Sequence, residues 1–518
     1  MAYSPFMYLF FLLGLSAPSA ERMPSDPVKS RANYETIVAH LDTGGDLMVA
    51  ANTDGVVENL VTGLRGWTEM MPQGVMNDDA RQAFDRLPAF ITSSGFYAVD
   101  GFGMSLLPGG DGMNTLKAFL RRDPAAAELP FWRSMVGGAP RALASLDYLP
   151  ADTVLARIGS GEPGQLFKLV TDAIRQVGGA DAARGLDQAL AEAGSNLGTN
   201  VSALVNSLGA ESFLAIQLSA TQTLPVPLPN NREAAAAEPL TIPLPSLLMG
   251  AAVRDATLFD TVRRLLERSQ APCVTTQVAG ATLISVTIPE AKDYPLNPTF
   301  AVHKGMFLVG STLDAVKSAI ASADSKNGLR AAPVFKKEFA SLPAMNNGLS
   351  FMDPRFSETL SKVSTALMRS VSGGRSGLGG MGVFELASGS HLLVIVNEKD
   401  GIAVSGSTSA SALQTLRSMT LMPLITTMGS AIAIPNLMRA RAVTRNYSCI
   451  NNLRMLDSAK EQWALEADKP VGAEVVEKEV LQYIKGATLP VCPQGGRYTL
   501  GPIGQPPVCS YPGHQLPQ

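Results

Sequence analysis

Two stretches of this chain place strand-like runs on either side of turns only a few residues long. One is Thr299-Phe-Ala-Val-His-Lys-Gly-Met-Phe-Leu-Val-Gly310; the other runs from Leu392 to Ser405 around Asn397-Glu-Lys-Asp-Gly401. Strands joined so tightly can pair only antiparallel, because a parallel pair needs a crossover of about a dozen residues or more. Asp400-Gly401 is itself a hairpin signal. Similar runs occur at Leu47–Ala51, Phe96–Ser105, Thr153–Ile158, Ser212–Leu218, Leu247–Val253 and Leu283–Ile288. Helical periodicity marks Tyr34–Leu41, Val56–Met71, Asp79–Leu87, Gln165–Val177, Ala182–Ala193, Leu258–Ser269, Thr312–Ala321 and Phe356–Met368. Hairpins and separate helices imply an α+β fold with antiparallel sheets.

A length of 518 residues implies two to four domains. The stretch Leu224–Pro245 is rich in proline and is either a linker or an exposed hairpin loop, since the strand-like runs flanking it could pair. It divides the body into two α+β halves, 21–222 and 246–412, ahead of a C-terminal module at 413–518. A faint internal echo joins the halves: Leu149-Pro-Ala-Asp-Thr-Val-Leu-Ala with its helix parallels Met306-Phe-Leu-Val-Gly-Ser-Thr-Leu-Asp-Ala-Val-Lys317. Ser372–Gly382 reads as a second, glycine-rich loop.

Hydrophobic residues make up 46% and charged residues 17% of the chain, a globular composition. A net charge of −3 supplies no field for nucleic acid, so no nucleic-acid partner is expected. Residues 6–16 form a short apolar run ahead of Ala17-Pro-Ser-Ala20, the length of a signal-peptide core and too short to span a bilayer. No Lys or Arg precedes Arg22, so the basic segment of such a signal is missing. Residues 1–20 are nevertheless expected to be a signal peptide, which places the chain in the periplasm or cell envelope.

No catalytic constellation emerges. Gly377-Leu-Gly-Gly-Met-Gly382 matches a dinucleotide-loop pattern, but a helix-like run precedes it and a strand follows, the reverse of what pyrophosphate binding needs. The four histidines, His40, His303, His391 and His514, form no metal-binding spacing, and no Gly-x-Ser-x-Gly nucleophile elbow appears. No cofactor is implied.

Cys492 and Cys509 enclose sixteen residues of Gly- and Pro-rich turn. In an oxidising compartment they are expected to form a disulfide worth roughly 3 kcal/mol. Cys273 and Cys449 then remain as single thiols. The alternative is a zinc site made from Cys449, Cys492, Cys509 and His514; it lacks a tight Cys-x-x-Cys pair, and the disulfide is the preferred expectation.

The last ninety residues carry the strongest pattern. Val443, Tyr447, Ile450, Leu453, Leu456, Ala459 and Trp463 form a helical stripe, with Arg445, Asn451, Arg454, Lys460 and Glu461 opposite. Upstream, 421–438 is apolar and broken by Pro423, Gly429 and Pro435, so the helix is expected to kink at Pro435. The pieces Ala431-Ile-Ala-Ile-Pro-Asn436, Cys449-Ile-Asn-Asn-Leu-Arg454, Asp457-Ser-Ala-Lys-Glu-Gln-Trp-Ala464, Cys492-Pro-Gln-Gly-Gly496 with Tyr498-Thr499, and Cys509-Ser-Tyr-Pro-Gly-His514 resemble the type IV pilin and type II secretion pseudopilin family, particularly small prepilin-like proteins of planctomycete- and verrucomicrobia-type bacteria. The likeness covers about residues 428–518. The body, through Leu149-Pro-Ala-Asp-Thr153 and Ser207-Leu-Gly-Ala-Glu-Ser-Phe-Leu-Ala215, resembles uncharacterised envelope proteins of the same bacteria.

The pilin resemblance implies a long helix packed on a small antiparallel sheet, used in filaments. Three departures bear on that use. The family's prepilin-peptidase phrase and its glutamate are replaced by Thr420-Leu-Met-Pro-Leu-Ile-Thr-Thr-Met-Gly429, and the module follows some 400 residues of chain. Residues 490–518 also contain no Asp or Glu for the calcium site of major pseudopilins. The expectation is an exported, non-enzymatic envelope protein with a degenerate pilin-like module for association or scaffolding. Its expected partners are envelope or secretion-system proteins and copies of itself. The apolar run 421–438 is expected to pack on protein, with membrane contact as the alternative, since Arg439, Arg441 and Arg445 follow it. The competing class is a periplasmic hydrolase or ligand-binding protein with a cleft between the two halves.

Overall fold

The computed structural model describes residues 27–56, 78–226, 240–288, 296–372, 389–415, 449–484, 488–492, 495–511 and 515–516. The expected signal peptide, the glycine-rich 377–382 motif, the apolar run 421–438, the kink at Pro435 and His514 lie outside these residues, as does most of the Val56–Met71 helix. The chain divides into two compact units, Met1–Thr420 and Leu421–Gln518.

The first unit is α+β, as the hairpins require. Its strands are β1 (Leu47–Asn52), β2 (Val99–Pro108), β3 (Asn114–Arg122), β4 (Thr153–Gly159), β5 (Leu208–Pro225), β6 (Thr241–Val253), β7 (Cys273–Val278), β8 (Ala281–Val286), β9 (Thr299–His303), β10 (Met306–Gly310), β11 (Gly348–Met352), β12 (His391–Glu398) and β13 (Gly401–Thr408). All thirteen join one sheet in the order β1-β2-β3-β13-β12-β11-β4-β5-β6-β10-β9-β8-β7, and every neighbouring pair is antiparallel.

Of the two readings of 223–245, linker or hairpin loop, the sheet shows the hairpin: β5 and β6 pair as far as Pro225↔Thr241. Prolines 243 and 245 fit because β10 pairs with β6 only over Leu248–Ala252, so the ladder at 241–245 is one-sided and a missing N–H costs little. Ile242 and Leu244, alternating with them, are buried and hold the strand in place. The two halves are likewise interleaved, since β11–β13 lie between β3 and β4. The described strands of 21–222 and 246–412 thus share one continuous sheet.

The turns show how the hairpin signals work. Lys304 and Gly305 both have positive φ (46° and 77°), the two-residue geometry whose twist matches the flanking strands. At the Asp400-Gly401 signal the loop is Lys399-Asp400, and Gly401 is already in β13 opposite Glu398. Gly401 serves close approach instead: a Cβ there would lie 2.4 Å from the Leu120 carbonyl oxygen.

Period-2 alternation puts Ala156, Ile158, Phe213, Ala215, Leu248, Leu283, Ala301, Leu308, Leu349, Phe351, Leu392 and Val394 in one core. Helix α7 (Leu313–Ser325) adds Val316, Ala319 and Ile320 to it, and α8 (Pro333–Phe339) adds Phe335. The N-terminus of α7 is capped by Thr312, whose hydroxyl accepts the Ala315 N–H at 3.1 Å. Helix α1 (Pro27–Ala39) buries Ile37 against Phe119. Remaining helices of this unit are α2 (Asp78–Ser94), α3 (Pro130–Val136), α4 (Pro163–Leu197), α5 (Val201–Asn206), α6 (Thr257–Ser269) and α9 (Pro354–Ser372).

The second unit is small. A helix over 449–466, α10, precedes a short helix α11 (Glu477–Val480). A two-stranded ladder of β14 (Tyr498–Thr499) and β15 (Val508–Cys509) follows, with Tyr498 opposite Cys509. Its core joins Cys449, Leu453, Leu456, Ala459 and Trp463 of α10 to Val480, Ile484, Cys492, Tyr498, Leu500 and Ile503. Among the described residues, no helix is long and apolar enough to cross a membrane.

Candidate functional site

Over Ile450–Trp463 the helical stripe read from sequence is the buried face of α10, with two changes, while its Val443 and Tyr447 lie outside the described residues. Ile450 is only half-buried, and Cys449 takes the interior position at its end. Lys460, expected on the polar face, is buried with 1% exposure. Its position follows the same recurrence: 449, 453, 456, 460 and 463 advance by steps of three and four. The ammonium group is tolerated because it donates to the Leu500 carbonyl at 3.1 Å, to that of Pro502 at 3.4 Å and to that of Gln505, with Asp457 at 3.5 Å. Burying such a charge without partners would cost several kcal/mol. Lys460 therefore fastens the loop that links β14 to β15 onto the helix.

With that loop held down, three cysteines from distant parts of the chain meet. Cys449 lies in α10, Cys492 in the segment before the Gly495-Gly496 turn, and Cys509 on β15. Their sulfurs all lie within 4.8 Å of one another. Cys449 is fully buried, Cys492 nearly so and Cys509 half-buried. The Tyr498 hydroxyl donates to Cys449 Sγ at 3.3 Å and is itself oriented by Asn452 Nδ2 at 3.1 Å. The Tyr511 N–H donates to Cys509 Sγ at 3.5 Å. Gly496 is required by contact: a Cβ there would stand 2.5 Å from Cys509 Sγ. Burial pushes the Cys449 thiol up to about 12, so without a cation it holds its proton at neutral pH.

The expected Cys492–Cys509 bridge is not made in the structure, where all four cysteines are free. Cys449 is not the isolated thiol it was expected to be, because α10 carries it to the other two. Cys273 stands apart as a single thiol, exposed on β7.

The first unit holds polar clusters that sequence spacing missed. Ser350 Oγ lies 2.8 Å from His391 Nε2, although the residues are forty-one positions apart. They meet because β11 and β12 are neighbours, with Met352 opposite His391. Burial, and then the charge of Arg157, hold the imidazole down at about 4. A base that weak is poorly matched to activating a hydroxyl at neutral pH, and the pair is better described as partly buried polar groups satisfying one another. Tyr148 donates its hydroxyl to the His303 carbonyl at 2.7 Å and sits 3.1 Å from His303 Nδ1. His303 Nε2 is 3.3 Å from Asp324 Oδ1, outside hydrogen-bond geometry. Burial pushes the Tyr148 phenol up to about 12, so it is no ready nucleophile. His40 stacks on Phe119 and joins Thr36 to Glu398, a packing role.

A cleft of about 240 Å³ lies at the start of α4, lined by Glu162, Lys168, Asn206 and Arg254 among others. Its charges are already engaged: Glu162 with Arg133, Lys168 with Asp172, and Arg254 with the Asn206 carbonyl. Comparison with protein-family models, with curated proteins and with solved structures returns no match.

Proposed function

We propose that this chain is an exported, non-enzymatic envelope protein whose C-terminal unit is a degenerate pilin-like module serving association or scaffolding. The observation carrying this reading is the construction of that unit: an amphipathic helix, α10, laid on a small antiparallel ladder with a cysteine-bearing loop. The resemblance implies a long helix on a small antiparallel sheet, and a helix over 449–466 packed with a ladder of two residues per strand supports that reading. Further support comes from the first unit, whose Ser–His and Tyr–His contacts have pKa values unsuited to nucleophilic chemistry.

Envelope or secretion-system proteins, or further copies of the chain, are the partners this reading names. Fractionation of expressing cells, with protease accessibility of 440–518, tests it. The chain should be found in the periplasmic or envelope fraction, with the module cleaved by added protease once the outer barrier is opened. Recovery wholly in the cytoplasm, with 440–518 protected, would overturn it.

A further inference from the structure

Three thiols converge where a disulfide would need two. We propose that Cys449, Cys492 and Cys509 together bind one thiophilic divalent cation of the zinc class. This goes beyond the envelope reading and does not depend on it, since it concerns the chemistry of the folded second unit in any compartment.

Geometry favours a cation over a bridge. Zinc–sulfur bonds of about 2.3 Å at tetrahedral angles place the sulfurs of two ligands roughly 3.8 Å apart. The three sulfurs here are all within 4.8 Å of each other, so a cation at their centre requires contraction by only about 1 Å. A disulfide requires about 2.05 Å and can use only two members, leaving the third thiol unpaired. The surroundings are also those of a ligand set. Cysteine buried as a mere hydrophobe needs no donors, yet the Tyr498 hydroxyl points at Cys449 Sγ and the Tyr511 N–H at Cys509 Sγ. Donors aimed at sulfur favour thiolate, and Asn452 fixes the tyrosine in turn, as outer-shell partners of metal ligands do.

The fold supplies a reason for a staple. β14 and β15 are two residues each, and so short an isolated ladder is marginal in water. A cation held by Cys449, Cys492 and Cys509 would tie α10, the turn segment and β15 at one point. Binding exchanges three thiol protons for one divalent cation, with no change in oxidation state. Three thiolates leave the fourth tetrahedral position for water or another donor.

The test uses the full chain, reduced and freed of reductant without oxygen, and titrated with Co²⁺ alone and then Zn²⁺. One equivalent of Co²⁺ should give thiolate-to-cobalt charge-transfer absorption, bleached by one equivalent of Zn²⁺. Cys449→Ser, Cys492→Ser and Cys509→Ser should each weaken binding by about 10²-fold or more, while Cys273→Ser should titrate like the parent. The wild-type titration stands even where a variant fails to fold. Absence of the charge-transfer band in the reduced parent overturns the inference. So does a stable Cys492–Cys509 cystine, mapped by mass spectrometry, in chain prepared without metal stripping or oxidant. Neither result touches the localisation experiment, and a cytoplasmic location would leave the cobalt spectrum unchanged.

Discussion

Replacing Lys460 with methionine should loosen the second unit more than any other single change on the polar side of α10. The variant keeps the length of the side chain and removes its charge. Left behind are the Leu500, Pro502 and Gln505 carbonyls, which now accept from one ammonium group. A hydrogen bond to a charged group contributes about 1.5–3 kcal/mol, but three from one nitrogen do not add in full, and water can reach the exposed Gln505 end. Leu500 is buried and its carbonyl has no such relief. Leaving a buried acceptor without its donor costs about 1–3 kcal/mol. With three carbonyls losing one shared donor the upper end applies, and the opening equilibrium should rise by about 10²-fold. Hydrogen exchange read by mass spectrometry on the full chain measures this locally: amides of 453–463 and 498–503 should lose about two decades of protection, while those of β11–β13 stay unchanged. Lys460→Arg should recover only part, because a planar guanidinium cannot converge on three carbonyls as one ammonium does. Unchanged protection in Lys460→Met would refute the idea that this lysine fastens the β14–β15 loop.

Three further outcomes follow from the same geometry. Trp463 is buried and its Nε1 donates to Glu479 at 2.9 Å; Trp463→Ala should destabilise the second unit by about 3–5 kcal/mol, read as lost exchange protection in α10 and α11, whereas Glu479→Gln should cost much less. Gly250 faces Phe213, whose ring would stand 2.0 Å from an added Cβ; Gly250→Ala should lower stability by about 1–3 kcal/mol in urea unfolding, and Phe213→Leu in the same chain should restore part of it, a coupling that independent sites would not show. His391 has a folded value near 4 against an ordinary 6.5, so the unfolded chain binds its proton first as pH falls. Its contribution is complete above about pH 6.5 and lost progressively toward pH 4, about 3 kcal/mol in all. Urea unfolding of the first unit at pH 7 and pH 4.5 should show a smaller drop in His391→Gln than in the parent, and equal drops would refute the assignment.

Much of the first unit was legible because its signals are local. Short turns between apolar runs forced antiparallel pairing, and the expected runs at Thr153–Ile158, Thr299–His303 and Met306–Val309 lie in β4, β9 and β10 almost residue for residue. What local signals could not give was partner order. That β13 lies beside β3, and β11 beside β4, is decided by side chains meeting across nearly two hundred residues of chain or more. The choice between linker and hairpin at 223–245 stayed open for this reason: proline content reported loop tendency, while burial of Ile242 and Leu244 decided in favour of paired strands.

The same contrast governs the site. By itself the sequence determined the stripe of α10, since a period of 3.6 residues is written in the chain, and it marked the cysteine-bearing turns of the tail. It could not determine that Lys460 belongs inside the stripe, because a lysine is ordinarily solvated and only three backbone carbonyls gathered around it make burial tolerable. Nor could it choose between a Cys492–Cys509 bridge and a cluster that includes Cys449, both of which it allowed, for proximity of sulfurs depends on where a loop is fastened and not on how many residues it contains. Tertiary structure decided both, by supplying to each polar group the partners that water would otherwise provide.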